Sequence, residues 1–439
     1  MRSSLPRLAA SYQALPGHPA EGYPAVSRLL VRRLADADCP EPVPVDADTL
    51  FDLASLTKVV ATLPLVLLLH QRGRWAIDDP VARWLPGAPR SPVTIADCLL
   101  HVSGLPPHRP YHATCADPGA IRAAVTAELA DAGPGPVSYS DLGFMLLGWA
   151  VQECAGEPLE ELAAREVLGP LGMTSTGYRP QTPPERMAAT EADRDQRSGS
   201  GVVWGCVHDG NAFALGGVSG HAGLFGTAAD LGRFASALLT PARHPVLRAG
   251  TISLMTARRA GAGAEARVLG WRLRPDSWGD WPDGTIWHTG FTGTSLLIAP
   301  ALDVAVVLLS NAVHPVRRLD QIGPFRAGIH RAIRDALDHP GNGLRGAPLT
   351  AATADQGSAR AGGRTVAVQG FGAVGVAGGG GAVGIEGDGP APLVDRDMVM
   401  EKAVKGASVH AGGAAVGQVG HVVHLAGRGG LVAAARMLP

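Results

Sequence analysis

Residues 50–73, LFDLASLTKVVATLPLVLLLHQRG, decide the fold. Residues 59–69 within them carry no charge. That run is too short for a bilayer, which takes about 20 apolar residues, so it reads as a helix buried in a globular core. His70, Gln71 and Arg72 form a basic last turn, and Gly73 marks its end. With the helix starting near Ser55, Ser55 and Lys58 stand at i and i+3 on one face, at the end where free backbone N–H groups point outward. A serine and a lysine at the charged end of a buried helix make a candidate reaction site.

The whole chain permits such a site. Its 439 residues, 46% hydrophobic and 18% charged, can bury a large core, and about 150 residues per domain suggests about three units. The net charge of −1 gives no electrostatic case for nucleic acid or an anionic membrane surface. MRSSLPRLAASYQALPGHPAEGYP, at the start, lacks the apolar core of a signal peptide, and no transmembrane segment is evident, so a cytoplasmic location is expected. Cys39, Cys98, Cys115, Cys154 and Cys206 are odd in number and show no C-x-x-C spacing, which reads as free thiols rather than a zinc site or disulfide framework.

Composition changes near residue 339. Residues 1–338 hold all the Trp and Tyr and alternate apolar segments with turns; residues 339–439 are rich in Gly and Ala with Phe371 as the sole aromatic. A segment so poor in large side chains buries little apolar surface against its ordering entropy, and is expected to be loosely ordered. It contains G-x-G-x-x-G at Gly370, Gly372 and Gly375, resembling a dinucleotide fingerprint. The glycine run that follows is a poor helix start, and no strand precedes Asp395 and Asp397, so no cofactor is expected.

Elsewhere, residues 91–107 read as a short helix ending in a Ser-Gly-Leu-Pro turn. Residues 136–158 read as an amphipathic helix with Phe144, Leu147 and Val151 on one side and Tyr139 and Asp141 at its start. Residues 287–315 alternate as an antiparallel hairpin around APALD. Ile322, Phe325, Ile329 and Ile333 line one face of a closing helix at 319–338. The fold class is α+β: a helical region over about 55–250, an antiparallel sheet from about 25–50 and 265–312, and the closing helix. The N-terminal part offers one apolar run, SRLLVRRL, and no clear hairpin turn, so the sheet is expected to be short of a strand.

Three motifs then carry a resemblance. Ser55-Leu56-Thr57-Lys58, Tyr139-Ser140-Asp141 and His288-Thr289-Gly290, in that order, resemble the S-x-x-K, Y-x-N and K-T-G elements of the serine β-lactamase and penicillin-binding superfamily, nearest its class C and esterase-like branch. HVSGLP at 101–106 and residues 207–234 resemble that branch's loops, and the similarity covers about 45–335. The resemblance implies a β-lactamase/transpeptidase-like fold, an acyl-serine intermediate, and a small-molecule or peptidoglycan-like peptide substrate. It also implies that related proteins can be exported.

The residue types suit that chemistry. A serine hydroxyl is a weak nucleophile until a base takes its proton, and a helix N-terminus favours developing negative charge. Ser55 is the expected nucleophile. Lys58, with a reference pKa of about 10.4, needs burial or a positive neighbour to act as a base at pH 7, and the apolar helix offers burial. The resemblance implies that Tyr139 shares the proton with Lys58, and that the N–H groups of Ser55 and Phe291 form the oxyanion hole. Asp141, His288, Thr289, Gly290 and Phe291 are the expected substrate-binding residues.

Taken singly, each residue has a plainer reading: Ser55 as an N-cap, Lys58 as a solvated side chain, Tyr139 as a half-buried aromatic and His288 as a strand histidine. Their order outweighs those readings. His101, His108, His112, His208, Asp209 and His221 match no usual metal-ligand spacing, and no metal is expected. His288 in place of lysine is largely neutral at pH 7, and Asp141 in place of asparagine repels a carboxylate and holds Lys58 charged if ionised. Both changes favour esters, small peptides or amides over β-lactams. A catalytically inactive ligand-binding protein that keeps the motifs is the alternative.

Overall fold

The computed structural model describes residues 29–31, 43–192, 197–198, 202–273, 275–314, 316–317, 319–338, 421–427 and 430–437. The apolar run forms helix α1, Leu63–Gln71, buried from Leu63 through Leu69. Just before it, Lys58–Thr62 winds as a π-helix whose residues are all buried. The wider turn lies directly ahead of Pro64, which has no N–H to return to the preceding turn. Among the described residues, no helix is long and apolar enough to cross a membrane.

Helix α2, Ile95–Leu100, starts in a capping box: Asp97 N donates to Thr94 Oγ1 at 3.0 Å and Thr94 N to the Asp97 carboxylate at 2.8 Å. Helix α3, Asp141–Ala155, is capped by Ser140, whose Oγ accepts from Gly143 N at 3.3 Å, and ends at Gly156 with φ 77°. It is not the one-sided helix that the spacing of Phe144, Leu147 and Val151 suggested. Every residue from Leu142 to Val151 is buried, because α3 runs through the interior against α1 and α2. The stretches read as helices at 91–107 and 136–158 are thus helices with shorter bounds.

Among the described residues, strands β1 (Leu29–Val31) and β2 (Val43–Val45) pair only with each other. This corrects the expectation that the N-terminal segment joins the main sheet. β3 (Phe51–Asp52), β4 (Gly177–Tyr178) and β5 (Leu224–Gly226) form a second small sheet in the order β3-β5-β4. Helix α4, Ala228–Leu239, follows β5 and stacks Phe234 on Trp271, ring centroids 6.4 Å apart.

The main sheet is an antiparallel meander of β6 (Arg259–Ala260), β7 (Arg267–Val268), β8 (Trp271–Leu273), β9 (Ile286–Thr289), β10 (Ser295–Ala299) and β11 (Val304–Ser310). The hairpin expected around APALD is β10-β11, closed by Asp303 in the left-handed region at φ 55°. On β11, Ala305, Val307 and Leu309 face the helical core, while Val304, Val306 and Leu308 face the closing helix α5, Leu319–Asp338. Period-2 alternation therefore buries both faces of the strand. Ile329 and Ile333 of α5 fill the second face with Trp278, Trp281 and Trp287.

Within the segment beyond residue 339, β12 (His421–Gly427) pairs along the outer edge of β11 from Ser310 to Ala305, and β13 (Gly430–Met437) pairs with β12. The eighth strand of the sheet therefore comes from the far end of the chain. The apolar, β-branched character of HVVHLAG suits it to a strand, and pairing removes the open edge of β11. The G-x-G-x-x-G at Gly370, Gly372 and Gly375 lies outside the described residues, as does the rest of 339–420.

Candidate active site

Ser55 sits on a strained turn. Ala54 before it has φ 48°, a left-handed conformation that costs a side chain about 1–2 kcal/mol. Asp52 holds the turn: its carboxylate accepts from Ala54 N at 2.8 Å and from His208 N at 2.7 Å, while its carbonyl accepts from the Thr292 hydroxyl at 2.8 Å. Burial pushes the Asp52 carboxyl above its ordinary value. The result is a half-buried Ser55 at the mouth of the π-helical turn.

Lys58 is fully buried and its Nζ donates to three acceptors: Ser55 Oγ at 2.9 Å, Asp141 at 2.7 Å and the His221 carbonyl at 3.1 Å. Burial, the largest single influence, pulls its pKa down, but the Asp141 carboxylate and the Tyr139 hydroxyl together outweigh burial and the net shift is upward. The sequence-based requirement that burial depress Lys58 is therefore not met, and Lys58 is an ammonium. Burial alone would raise Asp141; the Lys58 charge reverses this and holds the carboxyl well below the usual range. His108, about half exposed, faces the other Asp141 oxygen at 3.6 Å, and that carboxylate raises the histidine's pKa.

Tyr139, the residue before the Ser140 cap, lies between several basic groups. Lys58 Nζ is 5.0 Å from its ring centroid, the His101 ring 4.6 Å, the His288 ring 6.1 Å and the Arg267 guanidinium 5.9 Å. Burial raises the phenol, and the nearby Lys58 charge opposes that only in part. Burial, with the Lys58 and Arg267 charges, pushes His288 down to about 3, so it is neutral across the physiological range.

The segment after β9 completes the group. Gly290 is needed where it stands: a Cβ there would lie 2.6 Å from the Leu53 carbonyl and 2.1 Å from Thr294 Oγ1. Its bare backbone lets this turn close on the Ala54–Ser55 turn. Arg326 of α5 locks the arrangement, donating to the carbonyls of Gly290 at 2.6 Å and Thr294 at 2.9 Å. Thr289 is half-buried, and Phe291 is an exposed aromatic stacked on His208, with ring centroids 5.6 Å apart. Among the described residues, neither Ser55 N nor Phe291 N is taken by a backbone acceptor in a turn or loop.

Behind Lys58, His221 bridges Ser219 Oγ at 2.8 Å and the Asp209 carboxylate at 2.9 Å. Gly220 between them presses on α3, where a Cβ would lie 2.0 Å from the Phe144 carbonyl. His112 engages Asn211, and among the described residues no group of three or more His, Cys, Asp or Glu side chains could hold a metal ion.

The fold thus brings Ser55, Lys58, Tyr139, Asp141, His288 and Gly290 together, with Thr289 and Phe291 at the edge. Sequence reading missed Asp52, Arg267 and Arg326. Asp52 had a local signal, an Asp two residues before a turn, whereas the two arginines reach the site only through the sheet and closing helix.

A family model described as Beta-lactamase matches residues 25–329. The chain is 32% identical over 313 residues to a putative D-alanyl-D-alanine carboxypeptidase of Escherichia coli K12, covering 62% of this chain and 71% of that protein. It is 31% identical over 311 residues to an N-acetylmuramyl-L-alanine amidase of Bacillus subtilis, covering 62% and 70%. Unliganded simvastatin synthase of Aspergillus terreus superposes with a TM-score of 0.51 at 19% identity, over 71% of this chain and 89% of that one, a likeness of fold alone.

Proposed function

The chain belongs to the beta-lactamase family and is a serine hydrolase, and we propose that it acts through an acyl-Ser55 intermediate on esters and small peptides or amides in preference to β-lactams. The observation that carries this reading is the placement of Lys58 Nζ, 2.9 Å from Ser55 Oγ and 2.7 Å from Asp141. As an ammonium, Lys58 donates to Ser55 Oγ and steadies the negative charge that develops there. It has no lone pair with which to accept the serine proton.

Tyr139 takes that role through the minor fraction of its raised phenol that is ionised, a fraction that the Lys58 charge and the hydrogen bond with Ser55 favour against burial. Ser55 Oγ attacks the acyl carbonyl as its proton passes to the Tyr139 oxygen, and the same proton then goes to the departing alcohol or amine. Water attacks the acyl-enzyme with the reverse proton sequence. The N–H groups of Ser55 and Phe291 receive the oxyanion, each worth about 3 kcal/mol.

Substrate preference follows from charge. Neutral His288 and anionic Asp141 give a substrate carboxylate little to bind. D-Alanyl peptides and muramyl peptides enter as candidates through the names of the relatives. Intact-mass spectrometry after a fluorophosphonate probe is expected to show one adduct on the wild type and none on Ser55→Ala; an unlabelled, well-folded wild type would favour a non-catalytic ligand-binding protein. An Asp141→Asn, His288→Lys double variant is expected to gain at least about tenfold in β-lactam turnover relative to ester turnover, since about 1.4 kcal/mol of recovered carboxylate binding suffices. An unchanged ratio would refute the charge argument.

A further inference from the structure

Four basic side chains from four separate parts of the fold surround the Tyr139 ring, and three are already accounted for. Lys58 is matched by Asp141 at 2.7 Å. His288 is neutral, and burial with the Arg267 charge holds His101 well below its ordinary value. Arg267 is the fourth.

Arg267 stands on β7, 3% exposed. Its nearest carboxylate is that of the solvent-exposed Glu265, 3.5 Å away. Its Nε and Nη1 are buried with no hydrogen-bond partner among the described residues. His101 Nε2 is in the same condition, and because His101 Nδ1 accepts from Ser140 N at 3.0 Å, the neutral ring carries its proton on Nε2. Beside the Tyr139 ring there are therefore three buried N–H groups, two of Arg267 and one of His101, that have no acceptor among the described residues. Buried guanidinium groups normally give their N–H groups to carboxylates or carbonyls. Here Nη2 reaches only the long contact with Glu265, and the Tyr139 ring lies 5.9 Å from the guanidinium.

We propose that Arg267 is a positioning residue for the hydrolase reaction: its guanidinium, only weakly paired through Nη2 with the exposed Glu265 and facing the Tyr139 ring, steadies the phenolate that accepts the proton of Ser55. The inference rests on the acyl-serine reading above. A cation attracts a phenolate far more strongly than the face of a neutral phenol, so its effect falls mainly on the charged form. Other groups around Tyr139 act in known directions. Lys58 acts with Arg267, and Asp141 and Glu265 act against it. Arg272 on β8 stacks over Trp287 at 4.6 Å and is paired with Glu265 at 3.3 Å.

The test is the pH dependence of fluorophosphonate labelling and of ester kcat/KM for the wild type, Arg267→Gln, Arg267→Lys and Glu265→Gln, with thermal melts in parallel. Arg267→Gln is expected to move the acid limb up by about one to two pH units, the effect of one charge at about 6 Å in a half-buried site. Arg267→Lys should return the limb to within about half a unit, because it restores charge without the fork. Glu265→Gln, at an exposed position, should move it a few tenths downward, and this keeps the test open if Arg267→Gln does not fold. Limbs that stay in place while only the melting temperature falls would overturn the proposal and leave Arg267 a packing residue. Failure of the wild type to label at Ser55 would overturn both this inference and the acyl-serine reading, whereas wild-type labelling with fixed limbs would sink the arginine alone.

Discussion

Lys58→Met is expected to lower ester hydrolysis about a thousandfold and to destabilise the fold by about 3–5 kcal/mol. The activity loss follows from removing the donor 2.9 Å from Ser55 Oγ. The stability loss comes from Asp141, whose carboxylate would keep only the 3.6 Å contact with His108. Its sign with pH is testable. In the wild type, Asp141 is depressed, so its contribution is present above the unfolded carboxyl pKa of about 4 and is lost as pH falls through its folded value. Lys58 is raised, so its contribution is complete below the unfolded value of about 10.4 and is lost as pH rises through its folded value. The pair therefore stabilises fully between about pH 4 and 10.

Without Lys58, burial raises Asp141 instead, and the variant should grow more stable relative to wild type as pH drops from 8 to 5. Chemical melts at those two pH values check this. A Lys58→Met, Asp141→Asn double variant should recover most of the stability and none of the activity. Recovery of activity would show that the ammonium is dispensable.

Gly220→Ala is expected to cost about 3 kcal/mol or more, an outcome confined to severe overpacking. The added Cβ would meet the Phe144 carbonyl at 2.0 Å and the Gly148 Cα and N at 2.9 Å. These are backbone atoms of a buried helix and cannot swing aside as a side chain can. Relief requires the 219–223 loop to move off α3, which also withdraws the Gly220 carbonyl from Thr62 Oγ1, now 2.7 Å away, and the His221 carbonyl from Lys58. Ester turnover should fall along with the denaturant midpoint. A midpoint within about 1 kcal/mol of wild type would mean that the α3–loop contact is looser than the geometry indicates.

Much of this was legible in the chain because it depends on local pattern. The buried α1, the helices within 91–107 and 136–158, the β10-β11 hairpin and the apolar stripe of α5 each follow from side-chain period and turn residues within a few positions. The three motifs were legible because their chemistry needs particular side chains at short spacing. The second-row supports were not. Arg326 reaches the Gly290 carbonyl from 36 positions away, and Asp52 meets His208 across 156.

By itself, the sequence determined an α+β serine hydrolase with Ser55, Lys58 and Tyr139 in one site. Tertiary structure decided the charge of that site. Burial pushes Lys58 one way and the Asp141 carboxylate, 2.7 Å away across 83 residues, pushes it the other way together with Tyr139, and the pair prevails over burial. It also decided which strands close the sheet, since β12 takes the edge of β11 while β1 and β2 pair apart from it. Both outcomes depend on distances between remote segments, and neither side-chain period nor turn chemistry encodes those distances.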